Sequence, residues 1–309
     1  MADGALVPAV FIFGDSVVDA GNNNALPTLV KSNFPPYGRD YHDQIPTGRF
    51  CNGKLAIDFL LEDYLYFDSS PPAYLSTKAV GRNILNGANF ASAASGFHDS
   101  TADLYFAISL RKQLDYLKEY QARVVGMVGE ANASSIFSNG LYVLSAGSSD
   151  LLQNYSISPL LQATYTMNQF FDLLLSNYAD FIENLYQMGA RKIGVTSLPP
   201  IGCLPAAITL FGSGNNQCVD MLNHNALVFN RGLNATSQRL LNRLSGLNLV
   251  VLDTYQPLYS LVISPVENGL LETSILCNSL AIGTCANASD YVFWDAFSSF
   301  GGRQPYNCL

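Results

Sequence analysis

The stretch that decides the fold is VFIFGDSVVDAGNN, residues 10–23, near the start of the 309-residue chain. Its first four residues are apolar and predict a short buried strand, which Gly14 ends. In an open α/β sheet, ligands bind just beyond the carboxyl ends of the strands. Ser16 follows the strand at that point, so its hydroxyl is a candidate nucleophile. The alternative is an ordinary turn between strand and loop, which Asp and Ser also favour.

Apolar, β-rich runs alternate with longer helical patterns along the chain. The expected strands are Ala9–Phe13, Ile84–Phe90, Leu141–Ala146, Lys192–Ser197 and Leu247–Asp253. The expected helices are Leu55–Leu65, Leu110–Val125, Thr164–Met188, Met221–Leu244 and Thr254–Ser264. This alternation favours a parallel sheet with helices on both faces. Because no repeat or low-complexity linker interrupts it, we expect residues 1–309 to form a single domain.

The composition argues against several classes of partner. Hydrophobic residues make up 49% of the chain, and the net charge is −8 without any run of Lys or Arg, whereas nucleic-acid binding needs clustered cations. No apolar run approaches the ~18 residues of a membrane span. Residues Met1–Gly4 lack the basic start of a signal peptide, and Pro8 interrupts the apolar residues that follow.

Cysteines and glycosylation sequons favour an extracellular protein. The pairs Cys203 with Cys218 and Cys277 with Cys285 could each close a small loop, contributing about 2–4 kcal/mol. Metal binding is less favoured, because no His or second close Cys completes a site. Four Asn-X-Ser/Thr sequons begin at Asn132, Asn154, Asn234 and Asn287. We therefore expect a secreted glycoprotein whose chain, as given, begins near a mature terminus.

Three further segments match the positions that such a sheet would give to a site. They are Gly87–Gly96, Ser145–Asp150 and Tyr291–Phe297. The small residues of the first would let a backbone N–H approach a substrate oxygen, and the second directly follows an expected strand. Each segment alone is a weak indication of a functional site, but the occurrence of all three in this order after Ser16 is a specific pattern.

This order resembles that of the plant GDSL esterase/lipase family, a branch of the SGNH hydrolases. The segments PTGRFCNGK, residues 46–54, and LPPIGCLP, residues 198–205, are similar to two further family signatures, and the resemblance covers about Val7 to Phe297. It implies a flavodoxin-like three-layer α/β/α sandwich around a parallel sheet. It also implies hydrolysis of carboxylic esters, such as lipid or acylated cell-wall esters. We expect a monomer that acts on a small-molecule or polymer-linked ester and needs no cofactor or metal.

The resemblance assigns roles to residues of this chain. Ser16 would be the nucleophile, and its backbone N–H would donate to the oxyanion. Gly96 would supply a second backbone N–H, and Asp295 would orient the base. A serine hydroxyl is too weak an acid to attack an ester unaided, so a neighbouring imidazole must take its proton.

The third block departs from the family pattern, which usually reads Gly-x-Asn-Asp. Here residues 147–150 read GSSD, so Ser149 stands where an Asn side chain would donate to the oxyanion. Loss of such a donor costs roughly 10²–10³ in rate. The Ser149 hydroxyl can still donate one hydrogen bond, although its side chain is shorter. We interpret this change as a variation of the oxyanion hole.

The last block departs more seriously. The family reads Asp-x-x-His-Pro, whereas residues 295–299 read DAFSS, so Ser298 occupies the position of the base. Residues 298–309 have no helical period and replace the family's C-terminal segment, so we expect its helix to be absent. Removal of the base from a serine hydrolase costs on the order of 10⁶ in kcat, as in an unrelated protease. We therefore predict strongly reduced activity.

Three histidines remain as substitutes for the base: His42, His98 and His224. His98 follows Gly96 closely and is the best candidate, His42 lies in a polar loop, and His224 falls within an expected helix. Two alternatives to an active hydrolase stay open. The chain is a non-catalytic relative or truncated product that keeps a binding cleft, or it is a fragment that cannot fold.

Overall fold

Five short parallel strands form one sheet in the computed structural model, which describes residues 4–268 and 292–295. The strands are β1 (Val10–Gly14), β2 (Gly87–Asn89), β3 (Leu141–Ser145), β4 (Lys192–Thr196) and β5 (Asn248–Leu252). Their order is β2-β1-β3-β4-β5, and every pair is parallel. The chain thus proceeds from β1 to one side and then returns to the other. The crevice beyond β1 and β3 is the switch point at which such sheets bind ligands.

Helices connect the strands and cover the sheet. They are α1 (Ala56–Phe59), α2 (Asp99–Asp103), α3 (Leu110–Val128), α4 (Glu130–Asn139), α5 (Pro159–Thr164), α6 (Met167–Gln187), α7 (Pro205–Phe211), α8 (Asp220–Arg243) and α9 (Tyr255–Ile263). The expected helix Leu55–Leu65 does not form as one continuous α-helix. It divides into the short α1 and a π-helical turn, Leu60–Tyr64. Among residues 4–268 and 292–295, no helix combines the length and apolar character needed to cross a membrane.

The larger core lies between one face of the sheet and the helices α3, α6 and α8. Alternate residues along a strand point to the same face, so each strand contributes its every second side chain to this core. The strand residues buried there are Phe11, Phe13, Ala88, Tyr142, Leu144, Ile193, Val195 and Leu249. Helix α6 contributes an apolar stripe that includes Phe170, Leu174, Tyr178 and Phe181. The three-layer α/β/α arrangement expected from the resemblance is therefore confirmed.

The opposite face of the sheet is covered unevenly. Around β1 and β3, Ile12 and Val143 pack with Leu55, Ile57 and Leu61. Farther along the sheet, Gly194 of β4 lies opposite Val143, and Val250 of β5 lies opposite Gly194. There Val250 is 56% exposed and its neighbour Leu252 is 42% exposed. The described helices therefore cover this face at β1 and leave it open at β5.

A disulfide fastens the segment that follows β4. It joins Cys203, in the turn Ile201–Cys203, to Cys218, just before α8, and so encloses α7. The second expected pair, Cys277 and Cys285, lies outside the described residues.

A buried ion pair holds residues 46–54 against α1. Nε of Arg49 lies 2.8 Å from Oδ2 of Asp58, and Nη2 lies 3.1 Å from Oδ1. The Ser70 hydroxyl donates to the same carboxylate. Burial opposes ionisation of Asp58, but the charge and hydrogen bonds of Arg49 outweigh it, and the pKa of Asp58 lies below its ordinary value.

Replacement of Arg49 should test how strongly the fold depends on this pair. We expect Arg49→Met to lower the free energy of unfolding by about 3–5 kcal/mol, because it leaves a buried carboxylate without its counter-ion. Arg111→Met is the matched control, since Arg111 pairs with Asp99 on the surface and exposed pairs contribute about 0–1 kcal/mol. Urea unfolding would measure both. Equal losses for the two variants would contradict the prediction.

Candidate active site

The turn after β1 presents Ser16 at the carboxyl edge of the sheet. Gly14 has φ +136°, and a Cβ on it would lie 1.8 Å from the carbonyl oxygen of Ser145, so only glycine fits against β3. The N–H of Asp15 donates to that carbonyl at 2.9 Å. The Asp15 carboxylate and carbonyl then accept from the next N–H groups of the turn. Held in this way, Ser16 is partly exposed while its neighbour Asp15 is buried.

Ser16 and Ser149 line the same narrow cleft, which has a volume of about 30 Å³. Ser149 lies in the segment that follows β3, and the pairing of β1 with β3 places the two serines along the same edge of the sheet. The cleft walls also include Val17, Leu152, Gln153, Pro199 and Leu204. Asp15 and Ser148 line the cleft as well, so three serines, a carboxyl group and an amide lie among its apolar side chains. A few polar groups among apolar walls are typical of sites for small molecules.

Gly96 is held in place by the carboxylate of Asp150. Asp150 accepts from the N–H of Phe97 at 2.7 Å, from the N–H of His98 at 3.1 Å and from the Thr101 hydroxyl at 2.6 Å. A Cβ on Gly96 would lie 2.3 Å from Oδ1 of Asp150, so a larger residue would displace the loop. Because Asp150 follows Ser149 directly, this carboxylate joins two of the segments singled out in the sequence. No sequence pattern pointed to that role.

The two backbone N–H groups expected to bind the oxyanion, those of Ser16 and Gly96, have no hydrogen-bond acceptor within the described part of the chain. There, neither the N–H of Ser16 nor that of Gly96 donates to a protein acceptor. Buried or partly buried N–H groups are rarely left unpaired, and groups that bind a substrate oxygen are an exception of the kind expected at an oxyanion hole.

Asp295 is anchored by Tyr37. The Tyr37 hydroxyl donates to Oδ2 of Asp295 at 2.8 Å, and its ring meets that of the buried Trp294 edge to face at 6.3 Å. The guanidinium of Arg39 lies over the indole of Trp294, 5.1 Å from the ring centroid. Burial and the Asp295 charge raise the pKa of Tyr37 above its ordinary value, so Tyr37 remains a donor. The sequence showed no sign of this contact between residues 37 and 295.

The histidines do not supply a base at this cleft. His98 caps α2, with Nδ1 at 2.6 Å from the Ser100 hydroxyl oxygen, and burial lowers its pKa. It opens on a separate cavity of about 430 Å³ between α3 and α6, which Ser16 does not line. His42 and His224 are exposed, in a loop and on α8 respectively. The structure therefore brings none of the three to Ser16.

The candidate glycosylation sites differ in their exposure. Asn132 and Asn234 are exposed. Asn154 is only 2% exposed, and its amide donates to Ser100 and Thr101. The expectation of a glycan on Asn154 is corrected, because the folded chain leaves no room for one. Ser298 and Asn287 lie outside the described residues.

Three buried carboxyl groups surround the turn that carries Ser16. Burial raises the pKa of Asp15 to about 7; the hydrogen bond from the Val17 N–H opposes this shift, and the charge of Asp150 adds to it. Burial likewise raises the pKa of Asp19 and of Asp150 to about 6 each, against the hydrogen bonds that both carboxylates accept. The folded chain thus keeps protons that the unfolded chain releases above a pKa of about 3.9.

We expect the free energy of unfolding to fall as the pH rises from about 4 to about 7, because the folded state binds more protons than the unfolded state in this window. Asp15→Asn should reduce the slope by at most about 1.4 kcal/mol per pH unit, since Asn has no proton to release. Asp115→Asn, on the surface of α3, is the control. Urea unfolding at a series of pH values would measure the slopes. A stability that rises across this window would contradict the prediction.

Comparisons with known proteins indicate the family to which the chain belongs. The profile of the GDSL-like Lipase/Acylhydrolase family matches residues 10–297. Two GDSL esterase/lipases of Arabidopsis thaliana are 57% identical over 306 residues and 58% identical over 307 residues. The alignments cover 95% and 94% of this chain, and 87% and 84% of those relatives.

A third Arabidopsis thaliana protein, GDSL esterase/lipase APG, is 51% identical over 94% of this chain and 86% of its own length. Among solved structures, a variant of an acetyl-xylooligosaccharide esterase from Geobacillus Stearmophilus matches with a TM-score of 0.37 and 11% identity. That match covers 85% of this chain and 83% of the esterase. The family profile and the three relatives together show that the chain belongs to the GDSL-like lipase/acylhydrolase family.

Proposed function

We propose that Ser16 is the nucleophile of a GDSL-type carboxylic ester hydrolase whose activity is strongly reduced because Ser298 stands in place of the base. The observation that carries the nucleophile assignment is the cleft that Ser16 shares with Ser149 at the carboxyl edge of β1 and β3. The substrates would be lipid or acylated cell-wall esters. The protein would act as a secreted, glycosylated monomer, with glycans on exposed sequons such as Asn132 and Asn234.

The chemistry assigned to these residues is acyl transfer to a serine. Oγ of Ser16 attacks the ester carbonyl carbon, and the carbonyl electron pair moves onto the oxygen. The N–H groups of Ser16 and Gly96 and the hydroxyl of Ser149 would donate to that oxyanion. The Ser16 proton must pass to a base and then to the departing alcohol. Water next attacks the acyl-enzyme, releases the acid and returns the proton to Ser16.

Reduced activity follows from the missing proton acceptor. A serine hydroxyl at position 298 does not accept a proton usefully at neutral pH, and none of the three histidines lines the cleft. Asp295 can orient a base but cannot replace an imidazole that both takes and returns the proton. The second candidate function, a non-catalytic relative that keeps the binding cleft, rests on the same substitution at Ser298.

Introduction of the missing base tests the proposal. We expect Ser298→His to raise the kcat for p-nitrophenyl acetate or butyrate at least 100-fold, since loss of a base costs on the order of 10⁶. Ser16→Ala in the same background should abolish that gain. Each variant would first be checked for a cooperative thermal unfolding transition, whose absence would favour the fragment that cannot fold.

Two results would contradict parts of the proposal. Turnover by the unaltered chain as fast as that of Ser298→His, and abolished by Ser16→Ala, would show that activity is not reduced. A folded Ser298→His variant without Ser16-dependent turnover would favour the non-catalytic relative.

A further inference from the structure

The side chain of Gln113, on α3, reaches the turn that carries Ser16. It is fully buried and lies outside the short signature segments quoted in the sequence analysis. Its Oε1 accepts from the N–H of Gly14 at 2.9 Å, and its Nε2 donates to the carbonyl of Gly14 at 3.0 Å. One side-chain amide therefore satisfies both backbone groups of the last residue of β1.

The end of β2 explains why an amide is needed there. The pairing of β1 with β2 stops at Ile12 and Asn89, so on that edge Gly14 has no strand residue opposite its N–H. Ser92, farther along the chain, reaches only the carbonyl of Gly14, at 3.0 Å. The carboxamide of Gln113 has the donor and acceptor geometry of a peptide group, and it takes the place of the strand that has ended.

The same amide also contacts the loop that carries Gly96. Nε2 of Gln113 lies 3.2 Å from Oγ of Ser95, the buried residue directly before Gly96, and 3.2 Å from the carbonyl of Ile108. Next to Ser95, Ala94 has φ +66°, a left-handed conformation that costs a non-glycine residue about 1–2 kcal/mol. Contacts from elsewhere must therefore hold this loop in shape, and Gln113 supplies one of them.

We propose that Gln113 is a positioning residue that sets the distance between Ser16 and the N–H of Gly96. One side-chain amide touches the residue two positions before the nucleophile and the residue directly before the oxyanion donor. Transition-state stabilisation requires such groups to be held within about 0.5 Å of the productive geometry. The inference rests on the proposed function, because it gives Ser16 and Gly96 the roles of nucleophile and donor.

An alkyl boronic acid tests this geometry in the chain as it stands. Such an acid adds to a serine Oγ and forms a tetrahedral anion, whose oxygen occupies the place of the oxyanion. We expect Gln113→Met to weaken this binding at least tenfold, because Met has a similar length but neither donates nor accepts. In the Ser298→His background, the same substitution should lower kcat 10- to 100-fold and leave KM within twofold, as for an interaction made only in the transition state.

The matched control is Gln121→Met on the same helix. The Gln121 amide donates to the carbonyl of Met188 at 2.8 Å, away from the cleft. If Gln113 has a merely structural role, Gln113→Met and Gln121→Met should both lower the stability, and the two variants should bind the boronic acid with the same affinity. Should Gln113→Met fail to fold, Ser95→Ala removes one hydrogen bond of the amide and should weaken boronate binding at least threefold.

The outcomes separate the two proposals. Boronate binding that is lost in Ser16→Ala, weakened in Gln113→Met or Ser95→Ala, and kept in Gln121→Met would support the positioning role. Binding that depends on Ser16 but is unchanged in the folded Gln113 or Ser95 variant would overturn that role and leave the proposed function standing. Binding that is the same in the unaltered chain and in Ser16→Ala would overturn the nucleophile assignment, and the positioning role with it.

Discussion

The pairing of β1 with β3 at Gly14 and Ser145 is the constraint on which the site depends. The carbonyl of Ser145 lies where a side chain on Gly14 would be, so the two strand ends approach without room for any other residue. Ser16 and Ser149 follow these ends and therefore meet in one cleft. On the other side of β1, the short β2 ends before Gly14, and the side chain of Gln113 supplies the hydrogen bonds that a longer strand would make. The sheet thus fixes the place of Ser16, the proposed nucleophile, and the loops fix the groups around it.

Buried polar side chains hold the loops around Gly14 and Ser145 through hydrogen bonds. Asp150 binds the loop of Gly96, Gln113 binds Gly14 and Ser95, and Asp19 accepts from the N–H groups of Gly21, Asn22 and Ala93. Fully bonded buried networks specify one arrangement, whereas a half-bonded network is costly. Although only 13% of its residues are charged, the chain buries the carboxyl groups of Asp15, Asp19 and Asp150, where they accept hydrogen bonds from the backbone.

The sequence predicted the sheet better than the site. Four strands were located within one or two residues, because short apolar runs bounded by turns are characteristic of buried parallel strands. The second strand was expected at Ile84–Phe90 and is only Gly87–Asn89, since a 3₁₀ turn occupies Gly81–Ile84. The short helices α2, α4, α5 and α7 carry too little apolar periodicity to be recognised. Asp150, Gln113 and Tyr37 were missed because their partners are distant in sequence and only the fold brings them together.

Loss of the base need not mean loss of the fold. In the described residues, the hydrogen bonds that hold Gly14, Asp15 and Phe97, next to Ser16 and Gly96, come from β3, α3 and Asp150. Asp295, which would orient a base, has the Tyr37 hydroxyl as a hydrogen-bond donor, so its carboxylate is satisfied in part without an imidazole. On the proposed function, a variant that lacks the base would keep the described hydrogen bonds around Gly14 and Asp150, and we therefore expect a folded protein rather than a fragment that cannot fold.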